Sequence, residues 1–198
     1  MAIFKPTMKE GGTSKFFGIC ELQIEKIEDK STMYDWADIY IDVTVKQKGS
    51  EYTRNMRIVG SLEKDASGMI TGGSVLKRLY KFFEVIGCNA GLNVKGGWES
   101  EEGIQIDDIE HYLNENFITP LDDFDYIGYI YKEQPKKSGD KAWTKVYPKL
   151  YTNTSENKAK LEDDIKWLKG KGYLKEFTED FKGNSENTSS DANTLSNL

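Results

Sequence analysis

From Trp36 to Lys46 the chain alternates without a break, with Ala37, Ile39, Ile41, Val43 and Val45 at one parity and Trp36, Asp38, Tyr40, Asp42, Thr44 and Lys46 at the other. A helix would scatter these two sets around its axis. A strand puts them on opposite faces, so the segment demands a sheet with one buried side and one wet side. Residues 17–27 repeat the pattern, with Cys20, Leu22 and Ile24 against Glu21, Gln23 and Glu25. After the turn Lys48-Gly49-Ser50, residues 52–60 do so again, with Met56 and Ile58 set against Asn55, Arg57 and Val59. This spacing predicts three antiparallel strands in a meander.

The period changes after Gly68. Ser74 follows Gly72-Gly73 as an N-cap candidate, and Val75, Leu76, Leu79, Phe82, Phe83 and Ile86 recur at helical spacing until Gly87 ends the element. A short helix is expected at 106–113, a fourth strand at 125–132, a lysine-rich loop at 133–141 and a fifth strand at 142–151. Thr154 or Ser155 can cap a last helix over 158–169, whose stripe of Leu161, Ile165 and Leu168 suits either the end of a barrel or a partner. Five strands with a helix between the third and fourth are the order of an OB-fold, a partly open Greek-key barrel. The same elements could also form an open antiparallel sheet with both helices on one side. The expected fold class is therefore mainly β with helices, a five-stranded OB-like barrel. Its domain covers residues 16–176 with an acidic insertion at 88–123, preceded by a mobile arm at 1–15 and followed by a disordered tail at 177–198.

Charge is segregated along the chain. The net charge is -6, which disfavours a generic nucleic-acid coat. Yet residues 99–125 hold ten carboxylates and no lysine or arginine, whereas 126–151 hold six lysines against Glu133 and Asp140. A second cationic stretch contains Lys46, Lys48, Arg54 and Arg57 against Glu51. Within the first of these, Trp143, Lys145, Tyr147, Lys149 and Tyr151 share one parity. Rings that stack on bases and ammonium groups that pair with phosphates suit single-stranded nucleic acid. The plainer reading is an amphipathic strand whose outer rings cover a neighbour. Trp36, Tyr40, Tyr129, Trp143 and Tyr147 are the stacking candidates, and Arg54, Arg57, Lys132, Lys136, Lys137, Lys145 and Lys149 are the backbone-binding ones.

Other chemistry finds little foothold. Cys20 and Cys88 read as small buried thiols, and His111, the single histidine, cannot complete a zinc site with them. Glu99, Glu101, Glu102, Asp107 and Asp108 lack the glycine and acid spacing of a calcium loop and read as a solvated acidic face. Gly72-Gly73-Ser74 lacks the lysine of a phosphate loop. No catalytic set and no cofactor is expected, and no apolar run has the roughly 18 residues of a membrane helix. With no signal peptide visible, a cytoplasmic protein is expected.

Four segments resemble the OB-fold single-stranded-DNA-binding proteins of bacteriophages. They are Phe17-Gly18-Ile19-Cys20-Glu21-Leu22, Trp36-Ala37-Asp38-Ile39-Tyr40-Ile41, the helix at 76–87, and the late strands at 126–131 and 143–151. The resemblance covers residues 16–152 in pattern and order, without a diagnostic motif that would carry over individual residues. It implies a non-enzymatic protein that binds single-stranded DNA with weak sequence selectivity in viral replication or recombination, in an infected host cell, with replication proteins as further partners. Many such proteins end in a strongly acidic tail. Here Glu186 and Asp191 are the only acids among residues 183–198, so tail-mediated recruitment is not expected. The alternative from another class is a viral structural or assembly protein whose aromatic strand face is a protein interface. An enzyme with an acidic, nuclease-like metal site stands third.

Overall fold

The computed structural model describes residues 17–118, 123–137 and 140–177. The expected arm at 1–15 and all of the expected tail except Phe177 lie outside them. In chain order the elements are β1 (Gly18–Asp29), β2 (Ile39–Gln47), β3 (Thr53–Gly60), β4 (Glu63–Lys64), β5 (Ile70–Gly72), α1 (Ser74–Ile86), β6 (Gly91–Leu92), β7 (Trp98–Glu99), β8 (Gln105–Ile106), α2 (Ile109–Phe117), β9 (Tyr126–Lys132), β10 (Thr144–Val146), β11 (Tyr151–Thr152) and α3 (Ser155–Gly170).

The main sheet runs β10-β9-β1-β2-β3, all antiparallel. Its last strand curls back toward β10 without forming a ladder with it, leaving a seam between them. The result is the nearly closed, five-stranded OB-like barrel expected from the element order. Strand β1 is long enough to serve two neighbours, pairing with β9 over Gly18 to Leu22 and with β2 from Leu22 onward. Its register shifts between Ile24 and Lys26, so the buried parity moves from Cys20, Leu22 and Ile24 to Ile27. An extra residue of this kind bends the strand and tightens its twist, which a small barrel needs in order to close.

The inner face of β2 is realised as expected, whereas Tyr40 and Asp42 on the face expected to be wet are buried as well. Ile39, Ile41, Val43 and Val45 are buried in the barrel with Met56 and Ile58 of β3. Helix α1 covers this core with Val75, Leu79, Phe82, Phe83 and Ile86, all at most 8% exposed. Burying five such side chains contributes on the order of 10 kcal/mol before chain entropy is charged. Ser74 is the first residue of this helix, and the capping position belongs to Gly73, which makes no side-chain cap. Gly73 sits at φ 142°, and a Cβ there would stand 3.0 Å from the Ser61 carbonyl oxygen. Close backbone approach therefore selects glycine, and the expected Ser74 cap is replaced by it.

The region expected as an acidic insertion is folded. It forms the three-stranded sheet β6-β7-β8 and helix α2, and it sends Cys88, Ala90, Ile109 and Leu113 into the main core. Its described carboxylates are exposed or half-buried, and Asp108 caps α2, its side chain accepting from the His111 amide. His111 is exposed on that helix, and both cysteines are free and buried, the latter as expected. Among the described residues no group of three or more His, Cys, Asp or Glu side chains could hold a metal ion. No described helix is long and apolar enough to cross a membrane.

Two expectations about the C-terminal half change. The predicted fifth strand, 142–151, is two short strands, since β10 pairs with Ile130 to Lys132 and β11 with Tyr126 and Ile127. Pro148 stands in the interruption, where it has no N–H to give to β9. Helix α3 begins at Ser155, capped by the Thr154 hydroxyl, which accepts from the Asn157 amide. It does not close the end of the barrel. It lies on the outer face of β9 and builds a second core from Leu161, Ile165, Leu174, Ile127 and Tyr129.

That helix is tied down by charge as well as packing. The Lys149 ammonium and the Tyr151 hydroxyl both donate to Asp164, the latter at 2.7 Å. Burial works against ionisation of Asp164, but these donors outweigh it and hold the carboxyl below its ordinary value of 3.8. A depressed carboxylate stabilises the fold above its unfolded pKa, and that stability fades as pH falls through the folded value. We expect α3 to loosen below about pH 4 and Asp164→Asn to flatten this acid limb, read from Trp167 emission during melts at pH 7 and pH 3.

Candidate nucleic-acid interface

The outer face of β2 and β3 carries Tyr40 opposite Val59, Asp42 opposite Arg57, Thr44 opposite Asn55 and Lys46 opposite Thr53. The 30–38 connection folds over its first row. There Tyr34 stacks on Tyr40 with centroids 4.7 Å apart, and Trp36 meets Tyr40 edge-on at 6.0 Å. Tyr40 is consequently buried, and its ring supports Trp36, which is 64% exposed. In the next row Asp42 is buried beneath cations. Lys30 Nζ and Asn55 Nδ2 each donate to its Oδ2 at 3.1 Å, and Arg57 Nε stands 3.7 Å from Oδ1. The carboxylate thus orients Arg57, whose side chain remains open to solvent.

The seam between β3 and β10 opens beside Arg57. It forms a groove of about 470 Å³ lined by Asn55, Arg57, Tyr131, Trp143, Lys145 and Pro148 among others. Trp143 lies where the 133–143 connection enters β10. It is 63% exposed, and Lys141 Nζ sits 4.9 Å over its ring. Its carbonyl accepts from the Glu133 amide at 2.8 Å, which fixes the backbone while leaving the indole free. Tyr131 and Trp143 also line a second groove of about 680 Å³, with Lys136, Lys141, Tyr173 and Lys175 around it. Burial pushes the Tyr131 hydroxyl up to about 12, so between the two grooves it is a neutral donor at pH 7. At the far end Pro148 is shared with a smaller cavity of about 220 Å³, rimmed by Lys77, Arg78 and Lys81 and floored by Met56, Phe82 and Leu150.

The predicted residues therefore divide. Arg57, Trp143 and Lys145 meet at the seam, with Lys136 on the wall of the adjoining groove and Lys137 exposed beside it. Lys145 is shared with Glu133, 2.5 Å away. Lys132 is exposed at the end of β9, with its ammonium 5.5 Å over the Phe17 ring. Trp36 stands at the other margin, in contact with the β2 row through Tyr40. The remaining candidates are placed elsewhere. Tyr129 is buried under α3, where its hydroxyl donates to Glu176 and accepts from Lys169. Tyr147 packs with Tyr131 against the second core and the Lys149 ammonium donates to Asp164 of α3, while both side chains line the smaller cavity at Pro148. Arg54 has the parity of Val45 and Met56 and points inward at the barrel end, near enough to Cys20 to oppose the rise that burial causes in its thiol pKa. Tyr129 is buried, whereas Arg54, Tyr147 and Lys149 are half-buried.

Among the cations and exposed rings that line the grooves, Lys141, Tyr173 and Lys175 escaped the sequence reading. Lys141 adjoins Trp143 in the lysine-rich loop and was legible there as a charge. Tyr173 and Lys175 follow α3, thirty and thirty-two residues beyond Trp143, and nothing in their local pattern links them to it.

Fold and site together define a class: an OB-like barrel whose open seam is lined by the exposed Trp143 ring and by cations. No protein-family model, curated protein or solved structure matches the chain.

Proposed function

We propose that the protein binds single-stranded DNA along the β3/β10 seam by stacking bases on Trp143 and placing phosphates against Arg57, Lys136, Lys141 and Lys145. One observation carries this reading: Trp143 is open to solvent in a groove whose walls supply cations from separate elements. A duplex hides its base faces, whereas a single strand can offer one to the indole and keep its backbone on the lysines. Asn55 and Tyr131 add neutral polar groups without a paired donor and acceptor set of the kind that reads one base, which supports weak sequence selectivity. The resemblance to bacteriophage proteins supports a role on DNA intermediates of viral replication or recombination in the cytoplasm of an infected cell. Binding by surface alone requires no catalytic step.

The test is anisotropy with a labelled oligo-dT strand and a labelled duplex at two salt concentrations. The single strand is expected to bind more tightly, with an affinity that falls as salt rises, since each neutralised phosphate releases counterions. Equal binding to duplex would remove the stacking contribution. No binding at low salt would overturn the proposal and assign the aromatic surface to a protein interface.

A further inference from the structure

The exit from α3 is built with unusual care for a surface turn. Gly172 adopts φ +70°, and its amide donates to the Lys169 carbonyl at 3.0 Å. The Tyr173 amide donates to the Leu168 carbonyl at 2.9 Å, and Leu174 is buried in the second core. The chain then runs beside the end of β9. The Gln134 amide donates to the Lys175 carbonyl at 3.0 Å and the Phe177 amide to the Lys132 carbonyl at 2.9 Å, with Glu133 and Glu176 bridged between them. Below, Glu176 accepts from both Tyr129 and Lys169.

All this anchoring leaves Tyr173 73% exposed. Its ring rests against Trp167, itself 56% exposed, with centroids 5.7 Å apart. Tyr173 and Lys175 form one wall of the larger groove, while Trp143, Lys136 and Lys141 contribute others. Scattered exposed aromatics are ordinary, but a braced ring fixed at the rim of a groove that already holds an exposed indole, with Lys136, Lys141 and Lys175 set against Glu133 and Asp140, is a surface poised for a ligand.

We infer that Tyr173 is a second stacking platform, which extends the single-strand path off the barrel and onto the α3 exit, with Lys175 beside it for the phosphate backbone. The inference rests on the proposed function of the seam. Trp167 braces the tyrosine, and the strand crosses the larger groove between Trp143 and Tyr173. A footprint of this kind spans more nucleotides than a barrel seam alone would hold.

The experiment uses the full chain and a labelled oligo-dT of about 15 nucleotides, within the site sizes known for such folds. Tyr173→Ala is expected to weaken binding roughly tenfold, Tyr173→Phe to bind as the parent does, and Trp143→Ala to weaken binding independently. Tyr173 is exposed, so its replacement should leave the thermal melt unchanged, and that control separates lost stacking from lost folding. If Trp143→Ala weakens binding while Tyr173→Ala does not, the extension is overturned and the seam stands. If the parent chain does not bind oligo-dT, the seam itself fails and the extension falls with it.

Discussion

Trp143→Ala is expected to lower the affinity for oligo-dT by between about fivefold and one hundredfold while leaving the melting temperature unchanged. The two halves of this expectation come from the same geometry. The indole is mostly exposed, with the Lys141 ammonium over its ring, so the fold loses little packing when it is removed. A base stacked on that ring would lose its whole platform. Arg57→Ala should act differently, since in the proposed complex the guanidinium would neutralise a phosphate and contribute most at low salt. Titrations of the two variants at two salt concentrations would separate the roles. A lower melting temperature for Trp143→Ala, with affinity falling only in proportion to folded protein, would make the ring structural.

The second large effect concerns the barrel itself. Gly128 lies on the inner side of β9, opposite Cys20, and a Cβ there would stand 2.6 Å from Leu22 Cδ1 and 2.8 Å from Leu150 Cδ2. Both leucines are buried, so neither can swing away without displacing its own neighbours. Gly128→Ala should therefore destabilise the protein by about 1–3 kcal/mol through overpacking. For a chain of this size that lowers the melting temperature by roughly 5 °C. Gly128→Val should cost more. Calorimetry or a circular dichroism melt checks this, and an unchanged transition would show that β9 does not pack on Leu22 and Leu150 as described.

What was legible in the sequence follows the range of the interactions involved. The β1 to β3 meander could be read because period two survives wherever one face meets a core and the other meets water. Helix α1 could be read because its apolar stripe is long. The β10/β11 break was harder to place. Trp143, Lys145, Tyr147, Lys149 and Tyr151 keep perfect parity, and only the missing N–H of Pro148 marks the point where that parity stops meaning a shared face. Tyr129 and Tyr40 look like outward residues and are outward, yet α3 covers one and the 30–38 connection covers the other. Parity assigns a face and is silent about what later folds onto it. In the acidic 88–123 region the short helix could be read, but its charge hides the few apolar side chains, Ile109 and Leu113 among them, that anchor it to the core. Tyr173 was invisible as a site residue because its neighbourhood is created by backbone bonds between residues 132–134 and 175–177.

The central claim is that a single strand lies on the exposed indole at the seam, and intrinsic tryptophan emission during an oligo-dT titration tests it most directly. The parent chain should show saturable quenching that added salt reverses, and Trp143→Ala should lose most of that signal when titrated at concentrations high enough to bind. Saturable binding with no change in emission, or the same quenching in Trp143→Ala, would contradict a strand stacked at Trp143.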